Sequence, residues 1–494
     1  MRRITNYSLH CFSLVLLLVS MSSCKKEFLE INPKGKLIAK NLLDYQRLLY
    51  NAPFVADYAA GANMDAQVAL GDEIAAVEPH FRGVSYGFIP YDPIRMQRLF
   101  KWEDVVYQPE KDAHEMGLMK TIYLYNKVIN EVMGLTEGTE QDRKILIAQA
   151  KASRAWTNFL MINYYGLPYK ESSAATDPGF PIITEADVTA TSFTRATVKE
   201  VYDFILNDLT TAIPDLPASL TNRYIMSGTA AKVLLGKVYM FMGKFNEALP
   251  LLNAAVDNVT EAAIPLQLYD YNATFGTGGS FLPIGAFGPV YPNATNNAEN
   301  LYTKQFSNYW SFTNNEFVLT PQAFSLFKNS DWRLKFFSNI PYSASTPYPH
   351  GLMRRIGPIS VLFGVMLPDL YLLRAECRAR LNDLSGGKAD VETLRKKRMP
   401  VAEAAVPDAI TADRIALVKF ILEERIREFA VQGYRWFDMR RLSVDPDFSA
   451  TVGYTHTLYK EDGGTTSFTL RPERFALRFA QKLMSQNPGM ENNP

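Results

Sequence analysis

AAKVLLGKVYMFMGKFNEALPLLNAAV, residues Ala230–Val256, is the stretch that decides the fold. Thr229 to Met242 and Phe245 to Val256 each carry apolar residues at helical spacing. Gly243-Lys244 stops the first run and opens the second. Gly236 and Ala248 are small, and Tyr239 and Phe245 bulky beside them. Small residues let two helices approach, while rings fill the space to the next pair. One such pair cannot bury its own apolar faces, so a continuous core needs at least about three.

Further pairs lie on both sides of this one. Thr121 to Met133 precedes Gln141 to Tyr164, which Gly166 and Pro168 stop. Thr197-Val198-Lys199-Glu200 has the form of a capping box. Behind it Val198, Val201, Tyr202, Ile205 and Leu209 share one helix face, and Pro214 closes the helix. Leu367 to Leu381 with Ala389 to Arg398, then Ile415 to Phe429, continue the series. The 230–256 unit resembles a tetratricopeptide repeat in its placing of Gly236, Tyr239, Phe245 and Ala248. The expected fold is mainly α: a tetratricopeptide-like helical-repeat body, with units about 115–260 and 365–442, and few short strands. Residues 50–110 and 265–362 lack helical periodicity and are rich in Gly, Pro, Asn and aromatics. Irregular segments of that length inside a compact protein are uncommon unless they carry function.

Composition excludes several classes. The 494 residues hold 52 Lys+Arg against 51 Asp+Glu, a formal net charge of +1. That balance leaves no basic footprint for nucleic acid. Hydrophobic content of 47% and charged content of 21% describe a folded chain. Three cysteines are too few for a disulfide framework, and five histidines stand singly. Cys377 falls in a helical pattern and reads as a buried free thiol.

The N-terminus reads as an address. Arg2 and Arg3 precede the apolar run Cys11 to Ser20. Its helical length, about 15 Å, is half of a bilayer's hydrocarbon core, so it is a signal-peptide core and not a span. Met21-Ser22-Ser23-Cys24 has the form of a bacterial lipobox. Residues 1–23 are then the signal peptide, Cys24 the lipid-attachment residue, and 24–41 an extended tether broken by Pro33 and Gly35. Two or more acyl chains make a stable anchor, at about 0.8 kcal/mol per buried CH₂.

Six segments in order make the chain resemble the SusD/RagB family of nutrient-binding outer-membrane lipoproteins. They are Cys24 to Gly35 (with Phe28, Leu29, Pro33 and Gly35), Tyr164 to Tyr169, and Arg195 to Pro217 (with Val198, Tyr202, Asp208 and Leu209). Tyr371 to Asn382 (with Arg374, Ala375 and Glu376), Glu423 to Leu442, and Gln486 to Gly489 complete the set. Glu423 to Leu442, EERIREFAVQGYRWFDMRRL, is the most telling, through Glu424, Arg425, Glu428, Gly433, Arg435, Asp438 and Arg441. The resemblance implies a single SusD-like domain over 42–494, an α-solenoid on the outer membrane facing the cell exterior. It also implies a SusC-like TonB-dependent transporter barrel as partner, over which the protein sits as a lid.

No catalytic constellation is expected, and no cofactor or metal. His114-Glu115 opens like a zinc motif, but Leu118 stands where the second ligand belongs. No GxSxG elbow occurs, and Gly276, Gly278 and Gly279 follow no strand. Glu423 and Arg427 have the spacing of a helix ion pair, with Arg425, Arg435 and Asp438 tying that helix to its neighbours. The candidate ligand-binding residues are aromatics of the 265–362 insertion. Trp310, Tyr309 and Tyr291 lead because Asn293, Asn296, Asn297, Asn300 and Asn308 lie among them. Sugars stack on rings and bond to such amides. Trp102 is a further choice from the first irregular stretch, whereas Trp332, in Asp331-Trp332-Arg333, reads as structural. The expected function is non-catalytic capture of an oligosaccharide and delivery to the barrel. The alternatives are peptide import or a scaffold with no ligand site, with a surface hydrolase last.

Overall fold

Capping side chains set where most of the long helices begin. The computed structural model of the protein describes residues 39–51, 65–81, 92–218, 222–307 and 315–494. Asn41 caps α1 (Leu42–Leu49); α2 (Ala66–Leu70) is short, and Asp92 caps α3 (Pro93–Phe100). α4 (Met119–Glu131) leads to α5 (Glu140–Tyr165) and α6 (Val198–Ala212), which both start in capping boxes, Thr139 with Asp142 and Thr197 with Glu200. Ser227 caps α7 (Gly228–Phe241), and α8 (Phe245–Val259) follows. After the insertion come α9 (Leu367–Arg380), α10 (Leu384–Arg395), α11 (Arg414–Phe429) and α12 (Tyr434–Ser443). Among the described residues no helix is long and apolar enough to cross a membrane.

The helices stack in sequence order, each on the next, from α4 through α8. α8 then packs directly on α9, which carries α10 and α11. The array is therefore continuous although α8 ends at Val259 and α9 begins at Leu367. Everything between leaves the stack and returns to it. Gly236 sets one of the crossings: a Cβ there would stand 2.9 Å from the Leu252 side chain. One boundary differs from expectation. α10 starts at Leu384 instead of Ala389, because Asp383 caps it and Gly386-Gly387 run inside it. Gly387 packs where a Cβ would lie 3.1 Å from the Ala375 carbonyl, so this glycine serves close approach and not chain breaking.

Short strands brace the stack. β1 (Ile74–Val77) precedes the insertion strands β2 (Asn300–Tyr302), β3 (Gln305–Ser307), β4 (Phe317–Leu319), β5 (Phe337–Ser338), β6 (Arg354–Arg355), β7 (Ser360–Leu362) and β8 (Val365–Met366). β9 (Thr455–Tyr459) and β10 (Thr465–Thr469) close the series. One sheet has the order β10-β9-β1-β4, with Ile74 opposite Leu319 and Ala76 opposite Leu458. Within the insertion β2 pairs with β8, β3 with β7 and β5 with β6, all antiparallel.

The stretch 50–110 contributes α2, α3 and β1 to this body, and that overturns the expectation for Trp102. Its side chain is buried, its indole N–H donates to the Leu70 carbonyl at 3.3 Å, and its ring stacks on His456 at 3.7 Å. Burial pushes the His456 imidazole down to about 4. Trp102 is a core residue and presents no face to a ligand.

Buried ion pairs tie the C-terminal helices together. Arg425 on α11 reaches Asp369 on α9 and Asp438 on α12, both at 2.7 Å. Arg435 holds Asp72 at 2.6 Å. Arg427 prefers Glu424, at 2.8 Å, to Glu423, at 3.9 Å. Beside this network Glu73 is buried; the Val431 N–H donates to Oε1 (3.3 Å), and Oε2 has no partner among the described residues. Burial, aided by the charge of Asp72, pushes its carboxyl up to about 8. A folded-state pKa above the unfolded value adds stability that is complete at low pH and lost as pH rises. Resistance to urea unfolding should therefore fall as pH rises between about pH 4.5 and about pH 8, and Glu73→Gln should flatten that slope. An unchanged slope in the variant would disprove the neutral carboxyl.

Candidate ligand-binding face

The insertion stands on Arg398, in the turn after α10. Its guanidinium, fully buried, donates to Glu299 (2.7 Å), to Glu428 (2.8 Å) and to the Tyr269 carbonyl (2.8 Å), and it lies 4.3 Å over the Tyr271 ring. The backbone is gripped too: Tyr271 N–H donates to Lys397 O at 2.8 Å, and Trp332 N–H to Arg398 O at 2.9 Å. Burial alone would raise the Glu428 pKa, but Arg398 and Arg333 outweigh it and hold the carboxyl below its ordinary value. Trp332 stacks on Phe275 and donates to Asn272 Oδ1 at 3.0 Å, as a structural residue would.

Above this base most of the insertion's rings fill a core. Tyr271, Phe275, Phe281 and Phe336 are buried and meet largely edge to face, with centroids 5.4–5.9 Å apart. Tyr291 joins them, 5.1 Å from Phe281 and 5.6 Å from Phe336, and walls a cavity of about 40 Å³ with Tyr271 and Arg355. Burial raises its phenol pKa. Its ring is thus engaged in packing. Three of the asparagines around it bond to nearby backbone, although Asn297 Nδ2 and Asn300 Oδ1 are buried without a partner among the described residues. Asn293 Oδ1 accepts from the N–H groups of Thr295 and Asn296, Asn297 Oδ1 accepts from Glu299 N–H, and Asn300 Nδ2 donates to Ala294 O. These amides build turns. Tyr309, Trp310 and Asn308 lie outside the described residues, as does Cys24.

One face of the insertion is different. Phe287 is 43% exposed and stacks on Tyr342, centroids 5.4 Å apart and rings inclined by 26°. Leu282, Ile284, Val290 and Ile340 are exposed on the same loops, and Ile359 is exposed just before β7. Gly288 lets the 282–290 loop close onto the Ile356–Gly357 backbone: it has φ +91°, and a Cβ there would stand 2.6 Å from Ile356 O. Asn315 clamps Tyr342, its Oδ1 accepting from the Tyr342 N–H and its Nδ2 donating to the carbonyl at 3.3 Å. Ser307 pairs with Ser360, next to Ile359. Exposed apolar groups gathered in this way mark interaction surfaces. Phe287 and Tyr342 both lie among the aromatics of the 265–362 insertion, but neither is one of the rings singled out in the sequence. The signal for both was the turn chemistry around them, Pro283, Gly285 and Gly288 on one loop and Pro341 and Pro347 on the other.

A cavity of about 330 Å³ lies elsewhere, between α4, residues 180–193 and the C-terminal stretch 479–490. Its walls are apolar, with few groups to bond a hydroxyl-rich ligand.

Residues 100–240 match the family profile described as starch-binding associating with outer membrane, and residues 367–494 match that of the SusD family. The chain belongs to the SusD family. Its sequence is 24% identical over 363 residues to SusD-like protein P2 of Formosa agariphila, covering 63% of this chain and 68% of that one. A SusD superfamily protein from Bacteroides thetaiotaomicron superposes with a TM-score of 0.66 at 16% identity, over 92% of this chain and 100% of its own. A laminarin-binding SusD-like protein superposes with a TM-score of 0.63 at 16% identity, over 92% and 100%. At such identities the structural likeness is one of fold. In this SusD-family chain the Glu423–Leu442 segment falls inside the second matched range and supplies Glu428, one of the carboxylates under the insertion.

Proposed function

We propose that this SusD-family protein captures an oligosaccharide at the cell surface, on the face around Phe287 and Tyr342. It then passes the sugar, uncleaved, to a SusC-like TonB-dependent transporter. The observation that carries this reading is the stacked Phe287–Tyr342 pair, with Phe287 exposed and Tyr342 half-buried, in a chain of this family. A sugar's C–H face packs on such rings at about 1 kcal/mol per contact, by analogy with aromatic pairs. A few contacts give micromolar-to-millimolar affinity, tight enough to capture and weak enough to release. Acylation of Cys24 holds the protein to the outer membrane, and Trp310 and Tyr309 add rings to the same ligand.

Calorimetric titration of residues 25–494 tests the reading, starting with laminarin, which a protein of this fold binds, and going on to other glycans and mixed peptides. Phe287→Ala and Tyr342→Ala should each weaken glycan binding about fivefold, the equivalent of about 1 kcal/mol. Trp310→Ala should do the same. Full affinity in the Phe287→Ala, Tyr342→Ala double variant would remove this face from the mechanism. Binding of peptides and of no glycan would replace sugar by peptide as cargo.

A further inference from the structure

The apolar groove between α4 and the C-terminus is lined by none of the residues of the Phe287–Tyr342 face, and its chemistry fits a different occupant. We propose that it is the docking site of this protein's own tether, residues 25–38.

Met116, Met119, Ile122, Phe193, Leu483 and Met490 give the groove its character, and the only charged side chains lining it among the described residues are the acids Glu185 and Asp187. A fitting occupant is an apolar segment flanked by positive charge. Residues 25–38, KKEFLEINPKGKLI, are such a segment: Phe28, Leu29, Ile31, Leu37 and Ile38 among four lysines and two glutamates. Methionine-lined surfaces adapt to side chains of varied shape, and burying large apolar side chains favours docking.

The chain also starts in the right place. Asn126 and Asn130 of α4 hold the wall, with Nδ2 groups donating to Ile183 O (2.9 Å), Glu185 O (3.2 Å) and Thr184 O (3.2 Å). Tyr45 of α1 donates to Glu131, the residue after Asn130, and Leu42 lies against Gly138 beyond that end of α4. From Glu131 to Tyr123 in the groove is about 12 Å along the helix, and the helix is about 10–12 Å across. Fourteen extended residues reach about 45 Å. The tether can round α4 and lay Phe28 and Leu29 in the groove, so that Cys24 emerges at its mouth. The docked tether then fixes which side of the molecule faces the membrane.

Disulfide trapping tests this in residues 25–494, where Cys377 is the remaining native cysteine and is buried. Under mild oxidation Phe28→Cys with Leu483→Cys should form an intramolecular bond at least tenfold faster than Phe28→Cys with Val401→Cys, an exposed site on another surface. Glu185→Lys with Asp187→Lys should slow the groove bond. Equal rates in the two pairs would overturn the proposal. Disulfide-linked dimers would give the groove to a second copy and overturn it too. Tyr123→Cys replaces Leu483→Cys if the latter fails to fold.

Discussion

Arg398→Met should cost about 3–5 kcal/mol in chemical denaturation, the usual result of stripping one partner from a buried ion pair. Methionine keeps the stem of the side chain and removes the guanidinium. Glu428 would retain Arg333 at 3.0 Å, but Glu299 would keep only the Tyr269 N–H at 2.9 Å. Burial already raises the Glu299 carboxyl above its ordinary pKa with Arg398 in place. Without Arg398 it must take up a proton or stand charged in a dry site. Because the same guanidinium holds Tyr269 and lies over Tyr271, hydrogen exchange should accelerate in residues 269–300 before it does in α9 or α11. Glu299→Gln on the Arg398→Met background should restore part of the loss. A loss below 1 kcal/mol, or exchange that rises evenly over the whole chain, would refute Arg398 as the support of the insertion.

Glu376→Gln should destabilise the protein strongly at neutral pH and hardly at all near pH 2. Glu376 is buried on α9 and accepts from Arg441 through both oxygens, each at 2.7 Å, and from Arg380 at 2.8 Å. Burial would raise its pKa; Arg441 and Arg380 outweigh burial and hold it at about 2, against 4.5 for an ordinary glutamate. A folded-state pKa below the unfolded one contributes stability that is complete above the unfolded value and lost as pH falls through the folded one. At 1.36 kcal/mol per pKa unit, the contribution at pH 7 is about 3 kcal/mol. Urea titrations at pH 7, 5 and 3 of both proteins should converge as pH falls. A difference that stays constant with pH would mean that Glu376 acts through shape alone.

The candidate site was less legible than the fold, and particular residues explain why. Trp102 and Phe287 both lie in stretches without helical periodicity, and composition cannot separate them. Trp102 is enclosed because β9 brings His456 and the backbone beneath it from the far end of the chain; Phe287, on a loop that closes over the Ile356–Gly357 backbone, keeps 43% of its surface exposed. The asparagines near Tyr291 suggested sugar contacts, yet their amides bond to nearby backbone groups. A polar residue beside a ring is ambiguous in sequence, since turn formation and ligand recognition use the same amide.

What the sequence by itself determined is local. Helical periodicity, the Thr197–Glu200 capping box and the Gly243 turn lie within a few residues of the atoms they organise, and the repeat body follows from them. The salt-bridging role of Arg425, Arg435 and Asp438 was also readable, since charges on an otherwise buried face require partners. The tertiary structure alone decided how α8 meets α9 across the insertion, which of that insertion's rings are core and which are surface, and how Arg398 joins Glu299 to Glu428. Those outcomes rest on contacts between residues from 30 to 125 positions apart, as in Arg398–Glu428 and Arg378–Asn253. No local pattern encodes them, because each is set by the space the rest of the chain leaves open.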